Sequence, residues 1–155
     1  MTDTKVTAVD LGPRRVARRV VVDAPAAELF ALVADPRRHG ELDGSGTVKS
    51  TVSGPDRLGP GDRFTVAMRM YGAPYRITST VTEFTEGRVI EWRHPFGHRW
   101  RWEFDEQSPG RTQVTEVWDY TTAKVPKVFE LAGFPKKNAH GITDTLLGLA
   151  RRYGG

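Results

Sequence analysis

Between residues 63 and 121 the chain repeats one pattern, in which apolar side chains occupy every second position and each run ends at a glycine or proline turn. Residues 99–104 show it most clearly, since charged side chains alternate there with Trp100, Trp102 and Phe104. The same period of two is found at 63–71, 75–84, 89–94 and 113–121. This period is typical of β-strands that bury one face. Because the intervening turns are short, we predict that consecutive strands pair as an antiparallel meander.

The segments on either side predict the remaining elements. Residues 15–22 and 47–52 are rich in β-branched side chains and suit strands. An apolar stretch at 26–34 follows a proline and predicts a short helix, and 36–41 suits a second one. Residues 136–153 place apolar side chains three and four positions apart, which predicts a C-terminal amphipathic helix with Ala139, Ile142, Leu146, Leu149 and Tyr153 on one face.

Together these elements indicate a single α+β domain. The C-terminal helix is the large partner available to the apolar face of the sheet. We therefore expect a curved antiparallel sheet of six to seven strands wrapped round that helix, with two short helices after the first strand. We place this domain at residues 14–155 and a flexible tail at 1–13, where no periodicity is found. Since one helix cannot closely cover so many strands, we expect an interior cavity at one end.

Composition excludes several kinds of site and partner. The 155 residues include no cysteine, which excludes disulfides, thiolate nucleophiles and cysteine-based metal sites. The net charge of +4 is spread along the chain without a basic block, so we expect no nucleic-acid partner. The histidines lack metal-ligand spacing, and we predict no metal and no cofactor. No apolar run is long enough for a signal peptide or a membrane span, which favours a cytoplasmic location.

Four short motifs in a fixed order resemble a known family. They are VDAPAAELFALVADP at 22–36, LGPGDRF at 58–64, VIEW at 89–92 and TQVT at 112–115. With the C-terminal helix, they make the chain resemble the polyketide cyclase/dehydrase and lipid-transport group of the START-like (SRPBCC) superfamily, from about residue 18 to residue 153. The resemblance implies the helix-grip fold, with a ligand cavity between the sheet and the long helix. It implies no catalytic residue, because the superfamily shares no single catalytic motif.

Strand parity predicts the wall of this cavity. All four tryptophans, which fall between positions 92 and 118, lie on one predicted face. Mostly apolar walls with a few polar groups are typical of a small-molecule site. Val66 and Ser79 share this face. The predicted ligand-binding residues are Phe64, Met68, Met70, Tyr75, Ile77, Trp92, Trp100, Trp102, Trp118, Tyr120, Phe129, Ile142 and Leu146. Phe129 and Phe134 could form a lid or an entrance.

Two polar residues on the same face are candidates for catalysis. Glu116 has the parity of Trp118, and His94 has the parity of Trp92. A carboxylate and an imidazole in one pocket can act as a general acid/base pair. One group would remove a proton next to a carbonyl group, and the other would protonate a leaving oxygen.

Purely structural interpretations of these two residues remain open. His94 precedes a proline near a turn and could simply be solvated. Glu116 could pair with Arg101 or Arg76 if a β-bulge reverses its parity. Perturbed titratable groups often serve structure rather than catalysis.

Two glycines interrupt the pattern of the C-terminal helix. Gly141 and Gly148 are seven positions apart and fall on nearly one face, and each costs about 1 kcal/mol relative to alanine in a helix interior. They could leave room for a ligand, or they could allow close contact between the helix and the sheet.

Three functions are compatible with these observations. We predict binding or transport of a hydrophobic small molecule (a lipid, a polyketide or an aromatic compound) without catalysis. The first alternative is a polyketide cyclase/dehydratase that uses Glu116 and His94, with Tyr75 or Tyr120 as hydrogen-bond donors. The second is a protein-interaction module that uses a sheet edge or an exposed face. A homodimer is compatible with the family resemblance, and the sequence does not decide it.

Overall fold

A computed structural model describes residues 5–42, 48–70 and 72–154. Its strands are β1 (Thr7–Val9), β2 (Arg15–Val22), β3 (Val48–Ser53), β4 (Arg63–Met70), β5 (Ala73–Thr85), β6 (Val89–Arg93), β7 (Arg99–Ser108) and β8 (Arg111–Asp119). Its helices are α1 (Ala26–Val33), α2 (His39–Leu42), α3 (Pro126–Leu131) and α4 (Phe134–Gly154), and a 3-10 turn at Pro36–Arg38 joins α1 to α2. The strands of this described part form one sheet in the order β1-β2-β8-β7-β6-β5-β4-β3, and every neighbouring pair is antiparallel.

The predicted α+β architecture is confirmed: a curved antiparallel sheet packs on a long C-terminal helix, and two short helices follow β2. The sheet has one strand more than the six to seven expected, because Thr7–Val9 forms β1 within the segment predicted as a flexible tail. Thr7 lies opposite Arg19, so this strand extends the sheet beyond β2. Three residues are too few for an alternating pattern to be recognisable in the sequence.

Helix α1 is held at its start by a side chain from the sheet. Pro25 precedes it with φ −65°, and no side chain of the capping residue bonds the first turn. Instead, the backbone N–H of Ala26 donates to the Glu106 carboxylate at 2.6 Å. Negative charge at this end of a helix is favourable. The apolar face of the helix is buried at Leu29, Phe30, Leu32 and Val33.

Helix α4 packs mainly on β2 and β8. Its buried side chains include Ile142, Leu146 and Leu149, which join Val20 and Val114 in the core. Burying a side chain of this size contributes about 1.5–3 kcal/mol. Since the helix covers one end of the strand order, the concave face of the strands towards β4 is left to form the wall of a cavity.

The outer face of the sheet carries ion pairs. Arg101 binds the carboxylates of three residues, Glu83, Glu91 and Glu103. Its register partner on β8 is Val117, whereas Glu116 lies opposite Trp102. No bulge reverses the parity of Glu116 over this stretch, so Glu116 does not pair with Arg101. Arg76 is exposed and has the opposite parity to the cavity-lining residues of its strand.

Candidate functional site

A cavity of about 160 Å³ lies between the concave face of the sheet and helix α4. Apolar and aromatic side chains make up most of its wall. The lining residues are Val33, His39, Leu42, Phe64, Val66, Met68, Ile77, Ser79, Trp92, His94, Trp100, Trp102, Glu116, Asn138, Gly141, Ile142 and Thr145.

Three tryptophans form one side of this cavity. Trp92 on β6 lies directly opposite Trp100 on β7, and Trp102 follows two positions later on the same face. Side chains alternate between the two faces of a strand, so the period of two in the sequence directs all three indoles inward. Their flat surfaces favour contact with planar ligands.

The 3-10 turn and helix α2 contribute a histidine that strand parity could not reveal. His39 stacks on Trp92 with centroids 5.0 Å apart, and Phe64 meets both rings edge-on. Nε2 of His39 lies 2.7 Å from the carbonyl oxygen of Val33. Helix α2 has only four residues, which is too short for a helical period to assign an inward face. Its first and last residues, His39 and Leu42, were therefore not predicted to line the cavity.

A few buried polar side chains interrupt the apolar wall. Glu116 is 7% exposed, Thr145 is 6% exposed and Ser79 is 5% exposed. The register places Arg18 of β2 directly opposite Glu116 of β8, so both side chains project from the same face. Removing a carboxylate from water is costly unless hydrogen bonds or opposite charges compensate.

His94 lies just beyond the end of β6, where the β6–β7 turn reaches the cavity. Its ring stacks on His98 with centroids 4.2 Å apart, and its Nδ1 accepts a hydrogen bond from the Phe96 backbone N–H at 3.0 Å. Burial lowers the pKa of His94 to about 4. Burial, and secondarily the neighbouring His94, lowers the pKa of His98 to about 3. Both imidazoles are therefore neutral at pH 7.

The structure brings most of the predicted site together. Nine of the predicted ligand-binding and catalytic residues line the cavity, and Val66 and Ser79 of the same predicted face line it too. The nine are Phe64, Met68, Ile77, Trp92, His94, Trp100, Trp102, Glu116 and Ile142. The side chain of Met70 lies outside what the structure describes. Tyr75 is half-buried without lining the cavity, and Leu146 is completely buried in the core.

Three predicted aromatic residues form a separate cluster. Trp118 stacks on Tyr120 at 4.5 Å, and Phe129 of α3 packs edge-on against both rings. The Tyr120 hydroxyl donates to the carboxylate of Glu130, which also belongs to α3, at 3.0 Å. These residues have the predicted parity, but they lie under α3 rather than beside the cavity. Parity determines the face of a strand and leaves open which part of that face a helix covers.

The two glycines of α4 have different surroundings. Gly141 lines the cavity, which agrees with the interpretation that it leaves room for a ligand. Gly148 is exposed, and a Cβ placed there would meet no heavy atom within 4 Å. Neither suggested role, ligand space or close helix–sheet contact, applies to Gly148.

Within residues 5–42, 48–70 and 72–154, no group of three or more histidine or carboxylate side chains is arranged to hold a metal ion. Over the same ranges, no helix is both long enough and apolar enough to cross a bilayer.

Comparisons with known proteins agree with this architecture. The family model described as polyketide cyclase/dehydrase and lipid transport matches residues 13–154. The uncharacterized protein Rv0088 of Mycobacterium tuberculosis is 54% identical over 152 residues, which cover 96% of this chain and 68% of that protein.

Two solved structures illustrate the similarity of fold. Protein Ms6760 from Mycobacterium smegmatis has a TM-score of 0.67 at 22% identity, covering 98% of this chain and 99% of that one. The Zhui aromatase/cyclase from a Streptomyces species has a TM-score of 0.64 at 17% identity, covering 90% and 94%. At these identities the similarity concerns the fold alone.

Proposed function

The chain belongs to the polyketide cyclase/dehydrase and lipid-transport family of START-like (SRPBCC) proteins, and from this premise we propose that it binds and carries a hydrophobic small molecule between its sheet and helix α4. The observation that carries the proposal is the cavity itself. Its wall combines three indoles with aliphatic side chains and only a few polar groups. Such a lining is typical of sites that bury most of a small ligand.

The volume of the cavity limits the size of the ligand that it can hold. The cavity of about 160 Å³ is smaller than the roughly 300–1,000 Å³ of common ligand pockets. An engineered apolar cavity of about 150 Å³ holds benzene. We therefore propose a ligand with one ring and short substituents, in preference to a long acyl chain.

Helix α4 offers a matched pair of variants to test this proposal. Gly141→Leu would fill part of the cavity, whereas Gly148→Leu adds the same side chain at an exposed position of the same helix. Isothermal titration calorimetry with toluene as the probe should show binding to the wild type and to Gly148→Leu, and at least tenfold weaker binding to Gly141→Leu.

Equal toluene affinity in all three proteins would place the ligand elsewhere. If Gly141→Leu fails to fold, Gly141→Ala gives a smaller reduction in the same direction. Native mass spectrometry of protein purified without organic solvent should also detect a bound molecule, and that molecule should be lost from the folded Gly141 variant.

A second candidate function is cyclisation or dehydration of a small ketone. It is supported by Glu116 and His94 lining one cavity. The Glu116 carboxylate would remove a proton from the carbon next to a carbonyl group, and a hydrogen bond to the carbonyl oxygen would stabilise the enolate that forms. The similarity of fold to an aromatase/cyclase agrees with this candidate without assigning the reaction.

A further inference from the structure

The β6–β7 turn fixes the position of the proton on the His94 ring. The backbone N–H of Phe96 points at Nδ1 of His94 at 3.0 Å. A backbone N–H can only donate, so Nδ1 must accept and carries no proton. In a neutral imidazole the proton is then assigned to Nε2.

The surroundings of the ring stabilise this neutral form. His94 stacks on His98 at 4.2 Å and contacts the Phe96 ring at 5.0 Å. Two backbone hydrogen bonds close the turn: His94 N–H donates to the His98 carbonyl at 2.8 Å, and Gly97 N–H donates to the His94 carbonyl at 2.8 Å. A proton added at Nδ1 would face the Phe96 N–H group, so two donors would meet. Burial lowers the pKa of His94 to about 4, in agreement with this geometry.

His94 lines the cavity, and its hydrogen bond to the backbone leaves Nε2 as the donor of the neutral ring. Trp92 and Trp100 lie near it on the same face and offer flat apolar surface. In such surroundings a donor favours a ligand atom that accepts a hydrogen bond, because burying an unsatisfied polar group is costly. A ligand group that can only donate would be rejected at this position.

We infer that the cavity selects a small aromatic molecule that bears an acceptor-only oxygen, such as a ketone carbonyl, and that Nε2–H of His94 donates to this oxygen. The inference rests on the proposed binding function and adds the chemical class of the ligand. It also makes His94 the hydrogen-bond donor of the site, rather than the group that removes a proton.

Two isosteric probes test the ligand class. Acetophenone and α-methylstyrene have nearly the same size and shape, and a CH₂ group in the second replaces the carbonyl oxygen of the first. Because the hydrocarbon partitions more strongly out of water, the measured quantity is the ratio of the two dissociation constants in each protein, determined by calorimetry.

Two substitutions separate the donor from the turn. The side-chain oxygen of His94→Asn can accept from Phe96 N–H as Nδ1 does, but the side chain places no donor near the position of Nε2. The longer amide of His94→Gln can place an N–H donor near that position. Loss of one neutral hydrogen bond should make His94→Asn about 2- to 10-fold less selective for acetophenone, whereas His94→Gln should stay within about twofold of the wild type.

The outcomes separate the two levels of the proposal. If both probes bind and His94→Asn leaves their ratio unchanged, the inferred donor role is wrong and the binding function stands. If neither probe binds the wild type at millimolar concentration, the proposed function fails for ligands of this size, and the ligand class fails with it. Long-range ¹H–¹⁵N spectra at pH 7 should show the proton on Nε2 of His94, and a proton on Nδ1 would overturn the inference independently of binding.

Discussion

His94 and His98 stack with centroids 4.2 Å apart and planes 20° apart, and burial is the main cause of the low pKa of both rings. The other rings packed on the pair, Phe96 on His94 and Trp118 and Phe129 on His98, carry no charge that could stabilise an imidazolium. The pair therefore makes folding depend on pH.

We predict that stability decreases as the pH is lowered from about 6.5 towards 4. An unfolded histidine has a pKa near 6.5, whereas the folded values are about 4 for His94 and about 3 for His98. In this window the unfolded chain binds more protons than the folded chain, so the free energy of unfolding falls with pH. Urea unfolding followed by circular dichroism at several pH values between 4 and 7.5 measures this change.

Substitution of one member of the pair isolates its contribution. His98→Phe keeps an aromatic ring against Trp118 and Phe129 and removes Nδ1, which has no hydrogen-bond partner in the described part of the chain. The variant should lose less stability than the wild type between pH 6.5 and 4, and His140→Gln, at an exposed position, should follow the wild type. If the free energy of unfolding has the same pH dependence in His98→Phe and in the wild type, His98 does not contribute to it.

The part of the site that could be predicted follows from the geometry of strands. Trp92, Trp100 and Trp102 were assigned to one face because side chains alternate along a strand, and all three line the cavity. The same rule placed Trp118 and Tyr120 on the face but could not show that α3 covers that end of it. Whether a residue on this face lines the cavity depends on where the helices pack, which is a property of the tertiary structure.

The residues that were missed lie where the sequence has no period. His39 belongs to a four-residue helix, and Arg18 is one of several arginines in a β-branched run. The register places Arg18 opposite Glu116, 98 positions later in the chain. Pairing of the first long strand with the last one joins segments that no local pattern connects.

Gly148→Ala should stabilise the protein by about 0.4–1 kcal/mol, because alanine lowers the entropy of the unfolded chain and favours the helix. The site is exposed, and the added Cβ would meet no heavy atom within 4 Å. Urea unfolding at pH 7.5 measures the gain. Gly141→Ala is the comparison, since there the new methyl group enters the cavity wall and should also weaken toluene binding. An unchanged or lower free energy of unfolding for Gly148→Ala would contradict the prediction that a methyl group is tolerated at this helical position.

Glu106→Ala should destabilise the protein by about 1 kcal/mol, the usual effect of losing a helix cap. The carboxylate accepts from Ala26 N–H at the start of α1, and it links that helix to β7. Glu106→Gln keeps an acceptor oxygen without the charge and should have an intermediate effect. Asp105→Ala, at the exposed neighbouring position, should change the free energy of unfolding by less than about 0.5 kcal/mol. Equal losses for Glu106→Ala and Asp105→Ala would show that the bond to Ala26 does not stabilise α1.

Glu116→Gln tests the enzymatic alternative without knowledge of the natural substrate. If Glu116 acts as a general base in the cavity, the wild type should accelerate exchange of the methyl protons of acetophenone in D₂O, as followed by ¹H NMR. General bases contribute about 10²- to 10⁴-fold, so Glu116→Gln should lose nearly all of the acceleration while binding acetophenone within about twofold of the wild type. Glu91→Gln is a matched control, since Glu91 is a buried carboxylate on the outer face of the sheet and should leave the exchange unchanged. Exchange that persists in Glu116→Gln would exclude Glu116 as the base. If the wild type exchanges the methyl protons no faster than buffer does, the enzymatic alternative is wrong and the binding function remains. A base that cannot remove the most accessible α-proton of a bound ketone cannot begin either cyclisation or dehydration.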